Sequence, residues 1–159
     1  MNQSTPIEAL CQSGDTANPA HYEQDFVLWV DTQLALLRAK KFDQLDLDNL
    51  IEEFDSLGRS EHRELKSRLE VLLMHLLKCQ FQAGRKSRGW LSTIIEQRSA
   101  IDTHLEQSPS LRQHLGAYAN KAYATAVALA ASQTSLKKSD FPSVNPYSPQ
   151  QLLDPDFFP

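Results

Sequence analysis

The chain has 159 residues and a formal net charge of −4, with 41% apolar and 23% charged residues. That length can close a core without metal or disulfide staples, and this balance of apolar and charged residues excludes wholesale disorder. No apolar run approaches the ~20 residues of a membrane-spanning helix, and two cysteines are too few for a disulfide framework or a four-cysteine zinc site.

Residues 1–20 hold Pro6, Gly14 and Pro19 among small polar residues without periodicity, which reads as a flexible arm. Met1 to Pro6 shows neither the charged nor the apolar region of a secretory leader. With so few thiols, a reducing cytoplasm is the expected location. From Asp25 the pattern turns helical: Phe26, Trp29, Val30, Leu34 and Leu37 share one face of a helix ending near Ala39. Lys40 and Lys41 suit the negative end of its dipole. Asp46 is positioned to cap a second helix with an apolar face of Leu47, Leu50, Ile51, Phe54 and Leu57, which Gly58 is expected to stop or kink.

A third, long central helix is predicted over Ser60–Cys79, where Leu65, Leu69, Leu72, Leu76 and Cys79 step by four and three with no Gly or Pro. The basic run Gly84 to Gly89 reads as a loop, and Trp90, Ile94, Ile101 and Leu105 mark a fourth helix. Ser108-Pro109 signals the start of a fifth, running through Leu111, Leu115, Tyr118, Ala122, Ala126 and Leu129 to about Ser132. Its alanines indicate a close helix–helix approach or an interface. Prolines 142, 146, 149, 155 and 159 follow, with Ser148-Pro149 starting one helical turn through Leu153. The aromatics Phe141, Tyr147, Phe157 and Phe158 are too many for a solvated linker, so this tail is expected to pack on the body. The expected fold is all-α: a flexible arm (1–20), a single-domain bundle of about five helices (21–135) and a packed proline-rich C-terminal tail (136–159).

Several ordered blocks resemble the domain-of-unknown-function family 29. They are Tyr22-Glu23-Gln24-Asp25-Phe26, Leu45 through Glu53, and Leu57-Gly58-Arg59-Ser60. The match continues with His75-Leu76-Leu77-Lys78, the set Trp90, Thr93, Ile94, Gln97 and Arg98, Ser108-Pro109-Ser110-Leu111, and Phe141-Pro142. The resemblance implies a bacterial, almost wholly helical single-domain protein and carries no reaction or ligand. Cys79 and Ala83 stand where the family pattern has tryptophan and proline.

Charge is unevenly placed. Residues 1–57 carry eleven acids and three bases, a net of −8, whereas residues 58–88 carry three acids and eight bases, a net of +5. The balanced reading sets the acidic first two helices beside the basic third, so that the field mostly cancels; Arg85, Lys86 and Arg88, crowded next to Trp90, are the exception.

On a helical wheel Glu53, Arg68, His75, Gln97 and Arg98 flank or interrupt the apolar faces, and Glu64 lies one turn before Arg68. They could converge between helices as a buried, mutually satisfied network that fixes register. If instead a cleft opened there, Glu53, His75 and Arg98 could form a small hydrolytic or anion-binding site. No cofactor and no metal are expected: Glu-x-x-His pairs, nucleophile motifs and phosphate-binding glycine loops are absent. With no catalytic motif, an alanine-rich fifth helix and an aromatic tail, the sequence reads as a non-enzymatic helical interaction module, self-associating or paired with another protein and independent of membranes. Nucleic-acid association through Arg85, Lys86, Arg88 and Trp90 is the alternative.

Overall fold

A computed structural model describes residues 20–159, with side chains from Tyr22 onward. The flexible arm expected over residues 1–20 lies, apart from Ala20, outside the described residues. Six α-helices follow in order: α1 (Ala20–Gln24), α2 (Phe26–Arg38), α3 (Leu47–Phe81), α4 (Arg88–Gln107), α5 (Leu115–Gln133) and α6 (Pro149–Leu153). Short 3-10 turns occupy several connections, and no strand occurs among the described residues. The fold is all-α with a long third helix, and no described helix is long and apolar enough to cross a membrane. The chain divides into two compact units, with the boundary between Gly58 and Arg59.

In the first unit α2 starts where Asp25 accepts a hydrogen bond from the Leu28 amide, satisfying an orphan donor of the first turn. It ends in a Schellman arrangement: Lys40 N–H bonds the Leu37 carbonyl and Lys41 N–H the Leu36 carbonyl, both at 3.0 Å. Lys40 takes the left-handed position of this motif, φ 58°, that glycine usually fills. Asp46 opens α3 as expected, Oδ1 accepting from the Asn49 amide at 3.5 Å, while Oδ2 accepts the Asn49 side chain at 2.7 Å and the Trp29 indole N–H at 3.0 Å.

The expected stop at Gly58 does not occur: one α-helix, Leu47–Phe81, contains both predicted segments. Gly58 has no positive φ, and an interior glycine weakens a helix by only ~1 kcal/mol relative to alanine. With good helix formers on both sides, propagation continues across it.

In the second unit Leu72 through Cys79 are all buried, so α3 is covered on every side there. Packed in one core with them are Ile94, Ile101 and Leu105 of α4 and Ala119, Ala122, Ala126 and Ala130 of α5. The alanine face is therefore internal, where a methyl group lets helix axes approach closely. The tail joins the same core through Phe141, Tyr147 and Leu152. Tyr123 Oη donates to the Pro142 carbonyl at 2.8 Å and Tyr147 Oη to Gln80 Oε1 at 2.7 Å. Ser148 caps α6 reciprocally with Gln151. Glycine at 116 makes room for α6, since a Cβ there would lie 3.3 Å from Pro149 Cγ.

Candidate functional site

Each polar residue singled out from sequence has an identifiable place. Glu53, on the first unit's part of α3, accepts the Tyr22 hydroxyl at 2.5 Å, which pushes that phenol up to about 12. Arg68 is clamped by Glu64 one turn earlier, Nε at 3.0 Å and Nη2 at 2.7 Å, and this bond holds the Glu64 carboxyl below its ordinary range. His75 is buried, with Nδ1 2.9 Å from the Val71 carbonyl, so Nδ1 carries the proton; burial lowers its pKa. Gln97 is half-buried on α4.

Arg98 has the most connected position. Its Nε donates to the Leu152 carbonyl at 2.9 Å, and its Nη2 to the carbonyls of Gln151 (3.1 Å) and Phe157 (2.8 Å). The cation lies 5.4 Å from the Phe158 ring. Two of those carbonyls end α6, whose last acceptors have no helical partner, so the guanidinium caps a helix and fastens the tail. Burial lowers its pKa, and Nη1 is buried without a partner. Of Arg68, His75, Gln97 and Arg98, none hydrogen-bonds another among the described residues: Arg68 and His75 bond within α3, and Arg98 bonds the tail through Nε and Nη2.

The basic turn is exposed as read: Arg85, Lys86 and Arg88 all face solvent, and Lys86 Nζ reaches the Pro159 carbonyl at 3.0 Å. Trp90 is half-buried, with the ammonium of Lys78 4.4 Å above its ring. Lys78 is buried, donates to Gln133 Oε1 at 2.9 Å, and has its pKa lowered by desolvation. No group of three or more His, Cys, Asp or Glu side chains able to hold a metal occurs among the described residues.

The concavity that stands out was not legible as a site. In the first unit the buried stripe of α2 is Trp29, Gln33 and Leu36, whereas Phe26, Val30, Leu34 and Leu37, expected to lie inward, are 38–47% exposed. On α3, Leu47, Ile51, Phe54 and Leu57 are 56–65% exposed. Two principal helices bury only the seam between them, so the remainder of each wide apolar stripe is left in water. Between α2 and α3 this leaves a groove of about 230 Å3 whose lining is almost wholly apolar, with Leu50 and Phe54 facing Val30, Leu34 and Leu37.

Polar bonds set the groove's shape. Gln33 Oε1 accepts the Asp46 amide at 2.9 Å, and Trp29 reaches Asp46 from the same helix face. The Gln33 amide nitrogen has no partner and is buried. Tyr22, Phe26 and Trp29 form an aromatic cluster at one end, ring centroids 4.9–5.9 Å apart. Such a surface suits apolar side chains, and the one carboxylate in its lining, Glu53, already accepts the Tyr22 hydroxyl. The signal in the sequence was the width of the two stripes, too broad for a seam between two helices.

The family model described as "Domain of unknown function DUF29" matches residues 21–158, and the chain belongs to that family. No curated protein matches the chain. No solved structure matches it either.

Proposed function

We propose that this member of the DUF29 family is a non-enzymatic protein-interaction module whose docking face is the groove between α2 and the first turns of α3. The observation that carries this reading is a continuous apolar channel whose walls are large side chains left in water. Groups with acid–base potential elsewhere support it from the other side, because His75 and Arg98 are buried and already bonded. A helix laid in such a groove would place residues at i, i+3, i+4 and i+7 against it.

A titration with an uncharged amphipathic helical peptide, leucine on one face and glutamine and serine on the other, tests the reading. Trp29 lines the groove, so in a Trp90→Phe background its emission reports occupancy. Saturable binding that Leu34→Glu abolishes, with the circular dichroism unchanged, supports the reading. Absence of any binding, or binding indifferent to Leu34→Glu, contradicts it.

A second reading rests on the exposure of Arg85, Lys86 and Arg88 within four residues, the arrangement that phosphate backbones attract. Salt-titrated binding to labelled DNA and RNA checks it, and affinity unchanged by Ala at all three positions would remove the turn from consideration.

A further inference from the structure

We infer that the occupant of the groove is a basic amphipathic helix of another protein; this rests on the docking reading above and adds the partner's charge. The unit that holds the groove has an acidic surface. Among residues 20–58, Glu23, Asp25, Asp31, Asp43, Asp48, Glu52 and Asp55 are exposed, against only Arg38 and Lys40 as exposed bases. Glu53 belongs to the lining itself. A desolvated apolar channel in a unit whose exposed charge is mostly of one sign favours an apolar ridge bordered by the opposite sign and disfavours like charge.

Size and charge decide among occupants. Phe26, Val30, Leu34, Leu37 and Phe54 of the lining are all exposed and leave on the order of 400 Å2 of apolar surface in water, the size of the largest patch on a typical monomer, which is often functional. From Phe26 to Leu37 the wall runs about 17 Å, three turns of a partner helix. A second copy of this chain meeting the first through the same face would bring one acidic unit against another, so self-association there opposes like charges. A partner helix with lysine or arginine beside its apolar stripe meets both features.

The test compares three peptides of identical apolar face and helicity, their outer positions uncharged, lysine-rich or glutamate-rich, titrated against the full chain. The lysine peptide is expected to bind about tenfold more tightly than the uncharged one at low salt, as attraction to an acidic unit would give. That advantage should shrink as salt is raised, and the glutamate peptide should bind weakest. Asp31→Asn with Asp55→Asn, both exposed, should narrow the gap without touching the apolar lining. Equal affinity for the lysine and uncharged peptides overturns this inference and leaves the docking reading standing, whereas no binding of any peptide overturns both. Sedimentation supplies the competing outcome: a dimer dissolved by Leu34→Glu would assign the face to a second copy and overturn the basic-helix inference.

Discussion

Replacing Arg98 by methionine isolates what one buried cation contributes to the second unit. Its three bonds to the carbonyls of Leu152, Gln151 and Phe157 lie between 2.8 and 3.1 Å. Hydrogen bonds involving a charged group each contribute roughly 1.5–3 kcal/mol. Two effects reduce the total. Removing the cation relieves its desolvation, and the Gln151 and Phe157 carbonyls, only partly buried, recover water. A net loss of about 3 kcal/mol follows. Complete release of the tail does not, because Phe141, Tyr147 and Leu152 remain anchored in the core at roughly 1.5–3 kcal/mol each. Urea unfolding measures the first quantity. Hydrogen exchange measures the second, with protection falling at residues 151–157 while the Leu72–Cys79 segment keeps its own. Arg98→Lys should recover less than half, since one ammonium cannot span three carbonyls. A loss below about 1 kcal/mol, or unchanged exchange in the tail, refutes the clamp.

Lys40→Gly removes a side chain from a left-handed backbone position and should raise stability by about 0.5–1 kcal/mol, seen as a higher urea midpoint; a decrease would mean that the lysine makes a compensating contact. Gly58→Ala should add a similar increment, about 0.5–1 kcal/mol, because a Cβ there meets no heavy atom within 4 Å; a loss would show that the junction needs a non-helical conformation. His75 has its folded-state pKa lowered by burial, so as pH falls through the unfolded value near 6.5 the unfolded chain takes up a proton that the folded chain resists. Stability therefore declines on acidification through that range. The urea midpoint should fall more between pH 7.5 and 5.5 in the unmodified protein than in His75→Leu, and equal falls would remove His75 as the cause.

Local physics made much of the fold readable. Helix-period stripes located α2, α4, α5 and both parts of α3, but not the short α1, and the start expected at Ser108-Pro109 opens a 3-10 helix, Pro109–His114, ahead of α5. Asp46 and Ser148 marked starts through their side-chain oxygens, and the four-residue spacing of Glu64 and Arg68 announced their pair. Gly58 was misread because a glycine signals a helix end only when the backbone turns left-handed there, and sequence does not show φ. The partner of Arg98 was hidden for another reason: main-chain carbonyls more than fifty residues away leave no mark in a side-chain pattern. A wheel locates the apolar face of α2 but not what covers it, so Trp29, which is buried, and Leu34, which is exposed, look alike in sequence. That ambiguity is where the groove lay concealed.

The most direct measurement is a backbone amide spectrum of the isotopically labelled full chain, titrated with the lysine-rich amphipathic peptide. Shifts concentrated in Phe26–Arg38 and residues 47–57, and absent in Leu34→Glu, are the expected result. Shifts centred on residues 85–90, or a spectrum that does not move, would contradict a docking groove between α2 and α3.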